Sequence, residues 1–164
     1  EDMRTFDLNK KFDFIFIGFN SFLHLLTDDD VSLFFASVKK HMHENSHFII
    51  DIYIPDPLFL YRPENYKFPV LEYTDSITKK HIFVEESNEY DSKTEINKLT
   101  WFFSTNKKRD FDIRTFSVRM YFPSKMNQLL IDAGFNILNQ WGDYYRTDLN
   151  VGSKLQIYNT QISK

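Results

Sequence analysis

Residues 12–27 read FDFIFIGFNSFLHLLT and run straight into Asp28-Asp29-Asp30. The first half, Phe12 to Ile17, is a nearly unbroken apolar run of strand length, rich in aromatic and β-branched side chains. The second half breaks at Gly18, Asn20, Ser21 and His24 before a helical pattern begins. A buried strand that empties into a polar loop suits an open α/β sheet, where ligands sit in the crevice beyond the carboxyl ends of the parallel strands. Phe19-Asn20-Ser21 is therefore the first place to look for chemistry, and the rest of the chain reads as support for that edge.

Val31, Phe34, Phe35, Val38 and Met42 recur at helical spacing and predict one apolar stripe packed on a sheet. Thr27 suits the N-cap, Asp28 to Asp30 the first turn, and Lys39, Lys40, His41 and His43 the opposite end, with Asn45 as a left-handed stop. His47 to Ile54 is apolar on both faces and predicts a parallel interior strand. Pro55, Pro57, Pro63 and Pro69 then predict a turn-rich lid or crossing segment, with one helical turn around Leu58 to Tyr61. Alternation takes over in Leu71 to Thr78, Ile82 to Tyr90, Thr94 to Ser104 and Asp112 to Phe122, a four-stranded antiparallel sheet. In its last strand Phe116, Val118, Met120 and Phe122 form a packing face, while Thr115, Ser117, Arg119 and Tyr121 form a face that is wet or lines a site. Pro123 opens a second amphipathic helix through Met126, Leu129, Leu130 and Ala133, ending at Gly134, and Asn136 to Tyr144 and Lys154 to Ile162 are closing strands. The expected division is a core of residues 1–54 and 123–164 and an insertion of residues 55–122.

The 164 residues carry 20 basic and 23 acidic side chains, so there is no cationic excess to engage nucleic acid. With no cysteine, disulfides and thiolate metal sites are excluded. No apolar run of about 18 residues predicts a membrane span, and a soluble, cytoplasmic protein is the expectation. His41 and His43 lie two apart and diverge if helical, so the histidines predict no metal site. Neither a Ser/His/Asp triad nor a P-loop is readable.

Asp2-Met3-Arg4-x-Phe6, Phe12-Asp13, Phe19-Asn20-Ser21-Phe22-x-His24-Leu25, Ile49-Ile50-Asp51-Ile52, Tyr121-Phe122-Pro123, Ala133-Gly134-Phe135 and Trp141-Gly142-Asp143-Tyr144 follow one another in an order that resembles class I S-adenosylmethionine-dependent methyltransferases. The likeness is to small-molecule and sugar N-methyltransferase-like members. Each motif alone is weak; the order of the set carries the likeness. It implies the carboxy-terminal half of a Rossmann-like sheet, strands 4, 5, 7 and 6, with the seventh antiparallel between the fifth and sixth. One departure stands out: Gly18, Gly134, Gly142 and Gly152 are scattered, with no G-x-G pair. The chain is therefore expected to be the carboxy-terminal part of a longer protein, and the edge of Phe12 to Ile17 to be apolar and unprotected, able to recruit a partner.

The resemblance implies S-adenosylmethionine as cofactor, with Asp2 and Met3 at the adenine and Phe19, Asn20 and Ser21 toward the methionine end and the acceptor. An ordinary polar loop around Asp2, or a turn or cap role for Asn20, is the competing explanation. His24 is either a general base on an amine or hydroxyl or a packing histidine among Phe22, Leu23, Leu25 and Leu26. Tyr53, Arg119 and Tyr121 either line a substrate pocket under the inserted sheet, with Arg119 facing an anionic group, or belong to a solvated sheet face. The expected function is methyl transfer to a small-molecule N or O acceptor in the intact protein, this chain being inactive alone. The alternative is a non-catalytic remnant or a homodimerising module, joined through strand 12–17 or the inserted sheet. A nicotinamide-dependent reductase fragment fits less well.

Overall fold

β1 (Phe12–Ile17) and β2 (Met42–Tyr53) pair in parallel, β8 (Leu155–Ile162) runs antiparallel to β2, and β7 (Phe135–Trp141) antiparallel to β8, giving the order β1-β2-β8-β7. This computed structural model describes residues 1–163. They divide into two units, residues 1–55 with 121–163, and Asp56–Met120.

In the first unit α1 (Asp28–Lys40) starts where the sequence says it should. Thr27 accepts from the Asp30 amide while the Asp30 carboxylate accepts from the Thr27 amide, a reciprocal capping box worth about 1 kcal/mol. Val31, Phe34, Phe35 and Val38 are buried beneath it. Phe35 stacks against Phe22 and meets Phe48 and Phe135 edge-on, and Phe22 meets Tyr121 at 4.9 Å. The core-facing side of β2, Phe48, Ile50 and Ile52, has no exposed surface, whereas Ile49, Asp51 and Tyr53 on its other face are half-buried.

The helix stops earlier than its apolar stripe suggests. His41, not Asn45, is the C-cap, and Met42 is already the first residue of β2, opposite Phe12. His41 is buried, takes the Leu8 amide on Nε2, donates from Nδ1 to Ser37 O and stacks on Phe6, tying the amino-terminal loop to the helix. β2 therefore starts five residues before the expected His47. Two steps along β1 stand against five along β2 there. Ser46, fully buried, fills the irregularity by donating to Phe12 O and accepting from the His43 amide. α3 (Pro123–Asp132) has Pro123 at its start and buries Met126 and Leu130; Gly134 follows at φ +77°, where a side chain is strained.

In the second unit α2 (Pro57–Leu60) precedes β3 (Phe68–Thr74), β4 (His81–Asp91), β5 (Ile96–Ser104) and β6 (Asp112–Arg119), an antiparallel sheet in that order. β3 begins at Phe68 and ends at Thr74 because the Asp75 side chain accepts from the Ile77 and Thr78 amides and turns the chain. β6 ends at Arg119 rather than Phe122. Val118, Arg119, Met120 and Tyr121 are all buried, so the alternation into a packed and a wet face fails at that end. One face of β4 is buried, but polar: Glu86 and Asn88 lie beside Ile82 and Val84. The Arg62 guanidinium donates to Glu86 and Asn88 at 2.8 Å and lies over the Phe59 and Phe68 rings, while Trp101 donates to the second Glu86 oxygen. Asn88 also donates to Leu60 O and to Asn97. These bonds fasten the 57–68 segment to its own sheet.

Candidate active site

At the carboxyl end of β1 the chain bends through two successive left-handed residues, Phe19 at φ 55° and Asn20 at φ 59°. Asn tolerates this region; for a bulky side chain such as Phe it costs about 1–2 kcal/mol. Phe19 is 97% exposed, so no packing offsets that cost. Gly18, which could have taken the bend, is not left-handed, and a Cβ there would meet only the Phe16 ring at 3.7 Å and Asp51 Oδ2 at 3.9 Å. Strain of this kind without a packing return makes the turn a candidate for function.

Asn20 fixes the bend. Its Oδ1 accepts from the Tyr53 amide at 2.9 Å, and its carbonyl accepts from Leu23 at 3.0 Å, so the loop after β1 is joined to the carboxyl end of β2. The short 3-10 turn Ser21–His24 then buries Phe22 and Leu23 and leaves Ser21 half-buried. His24 is exposed, and its ring makes no hydrogen bond among the described residues. The packing-histidine reading is thus not what is seen; His41 fills that role. Tyr53 is half-buried and also accepts from Gln156 Nε2 through its carbonyl.

Sequence reading missed Asp51 and Tyr144 as a pair. The Tyr144 hydroxyl donates to Asp51 Oδ2 at 2.8 Å, and that bond raises the phenol's pKa. Asp51 lies two residues before the end of β2, on the half-buried face, beside Gly18. An acid inside the apolar run Ile49 to Ile52 was the available signal. The carboxyl ends of β1 and β2 thus carry a carboxylate and an amide-braced turn, followed by the exposed His24, and the loop after β7 brings a phenol to the carboxylate.

The other expected positions are used differently. Asp2 accepts from the Arg4 amide, Nε and Nη2 at 2.9, 3.0 and 2.6 Å, and Arg4 also bonds Asp30 at 2.7 Å. These bonds hold the Asp2 carboxyl down at about 2. Both Asp2 oxygens are engaged locally, and Met3 is half-buried in the same turn. Arg119, in the second unit, is 7% exposed and pairs with Glu95 at 3.1 Å, so it is not held out for an anion. Tyr121 has no exposed surface and its hydroxyl donates to Leu25 O: it is a core residue of the first unit and not a pocket wall. Among the described residues no group of three His, Asp or Glu side chains could hold a metal ion, and no helix is long and apolar enough to cross a membrane.

No family model matches this sequence, and no curated protein matches it. Solved structures do match, over the whole chain. It is similar to an S-adenosylmethionine-dependent methyltransferase from Clostridium acetobutylicum (TM-score 0.78, 19% identity, 63% of that chain covered) and to the CcbJ methyltransferase from Streptomyces caelestis (0.80, 15%, 62%). It is also similar to the sugar N-methyltransferase KedS8 from Streptoalloteichus (0.67, 11%, 61%). At such identities the likeness is one of fold. The chain has the fold of class I S-adenosylmethionine-dependent methyltransferases, an α/β arrangement with two sheets. It spans about three fifths of the length of these structures.

Proposed function

We propose that this chain forms the acceptor side of an S-adenosylmethionine-dependent methyltransferase acting on an N or O atom of a small molecule. In this reading β1, β2, β8 and β7 stand as strands 4, 5, 7 and 6 of the complete sheet, and the 55–122 segment is an insertion in the chain between β2 and α3. The observation that carries it is the left-handed pair Phe19-Asn20 at the carboxyl ends of parallel strands, in a fold shared with methyltransferases.

The residues present meet the donor on one side only. Phe19, Asn20 and Ser21 form one wall. Asn20 Oδ1 is engaged with Tyr53, the Asp2 oxygens with Arg4, and no glycine-rich turn is in the sequence. This is not a cradle, so the chain alone binds S-adenosylmethionine weakly or not at all; micromolar affinity by calorimetry would overturn that statement. The donor's methyl is already activated on a sulfonium, which leaves the acceptor side to hold the acceptor in line and accept its proton. His24 supplies an exposed ring nitrogen for the proton, and Tyr53, Asp51 and Tyr144 supply polar groups that orient the acceptor. Methyl transfer by the full-length product of the reading frame, lost in His24→Ala with the fold intact, is the expected result; full activity in that variant removes His24 from the scheme.

A second reading rests on a separate observation. β1 pairs on one side only among the described strands, and Phe14 and Phe16 on it are 57% and 68% exposed. Such an edge accepts another strand, and a homodimer joined there would need no catalysis. Sedimentation of the chain distinguishes the two readings: a dimer dissociated by Phe16→Lys favours the module.

A further inference from the structure

We propose that the second unit holds its own binding site for a small organic anion with a flat apolar body, in the recess at the β3–β4 and β5–β6 turn end of its sheet. The proposal goes beyond the methyl-transfer reading and does not depend on it. The recess measures about 440 Å³, within the range of ligand pockets. Cross-strand pairing puts Tyr73 opposite Ile82, and Val84 opposite Phe103, so Tyr73, Ile82 and Phe103 stand on one face of the sheet. Phe111, from the β5–β6 turn, adds a fourth apolar wall. Tyr73 and Phe111 are 42% and 40% exposed, leaving ring surface for a guest.

The rim is cationic in effect. Lys80 and Lys108 line the recess, and among the described residues neither makes a close ion pair, although Lys80 stands near enough to Asp75 to help lower that carboxyl's pKa. Two carboxylates also line it, and both are engaged: Asp75 accepts from Ile77 and Thr78, and Asp112 from Arg114, whose guanidinium lies over the Phe103 ring. Lys79 and Lys107 on the same two turns add positive charge, while Arg109 faces Glu85 at 4.0 Å and Asp110 pairs with Lys67. Rings below and ammonium groups above match a planar hydrocarbon carrying a carboxylate, sulfonate or phosphate. A cation of the same shape meets repulsion at that rim, and an anion without the body gains nothing from the rings.

The test is calorimetric titration of the chain with 2-naphthoate, 2-naphthylmethylammonium and acetate, repeated on the Lys80→Glu/Lys108→Glu variant. Both lysines are exposed, so the variant keeps its fold, checked by circular dichroism. The expected result is naphthoate binding at about 1 mM or tighter, as a ligand of that size allows. The variant should weaken it at least tenfold, added salt should weaken it, and the other two probes should show no measurable binding. Equal binding of the two naphthyl ions, unchanged affinity in the variant, or no naphthoate binding at about 10 mM would each overturn the proposal.

Discussion

The first unit fills the space between sheet and helices with rings: Phe22, Phe35, Phe48, Phe135 and Tyr121 touch one another and have almost no exposed surface. The second unit buries Glu86, Asn88 and Asn97 on one sheet face, joined by hydrogen bonds to the half-buried Arg62 and Trp101, with Asn97 Nδ2 left without a partner among the described residues. A ring core depends on volume and tolerates small shifts. A polar core depends on every member being present, because each one removed leaves its partners unsatisfied.

The sharpest way to break this comparison is truncation in each unit. Phe35→Ala should destabilise the chain by about 4 kcal/mol in urea, as expected for a fully buried ring with four aromatic neighbours. Arg62→Met should cost about 3 kcal/mol, since it removes the cation from the Glu86 carboxylate, whose side chain is 9% exposed, and leaves it the Trp101 bond. Adding Glu86→Gln to it should recover part of the loss. That recovery separates the two cores: no second substitution of the same kind restores the ring cluster.

Two smaller effects sharpen it. Thr27→Ala removes the cap of α1 and should cost about 1 kcal/mol. Phe19→Gly should change stability in the opposite direction, by about 1 kcal/mol, because glycine takes a positive φ without strain. An exposed ring whose removal stabilises the chain would show that the turn is kept for a reason other than folding.

The smallest is electrostatic. The Asp2 carboxyl lies below its ordinary value of 3.8, at about 2, chiefly through its hydrogen bonds with Arg4. Its folded pKa is depressed, so the contribution of the Asp2–Arg4–Asp30 cluster is complete above the unfolded pKa and fades as pH falls from about 4 to about 2. The Arg4 Nε–H resonance should stay protected from exchange at pH 5 and lose protection across that window. Being exposed, the cluster should also weaken with salt.

How much of this was readable follows from distance along the chain. α1, its cap and its buried face are local, and period and capping residues specify them. β1 and the polar break after it are local too, which is why Asn20 could be singled out. The end of α1 was misplaced because Met42 keeps the helical spacing while His41, held by Leu8 and Ser37, has already ended the helix. Arg119 fell on the apparently wet side of its strand because its partner Glu95 comes from the β4–β5 turn, itself left-handed at φ 61°. Asp51 and Tyr144 meet across 93 positions, and the Arg62 cluster draws on α2, β4 and β5. No periodicity reports such meetings.

The central claim is that the strained turn after β1 serves methyl transfer. It is tested most directly by following transfer of a labelled methyl group from S-adenosylmethionine by the full-length product, in wild type and Phe19→Gly. The account predicts that the variant is at least as stable as wild type and at least about tenfold slower, a loss of about 1.4 kcal/mol in transition-state stabilisation. Undiminished transfer by a stabilised Phe19→Gly protein would contradict it.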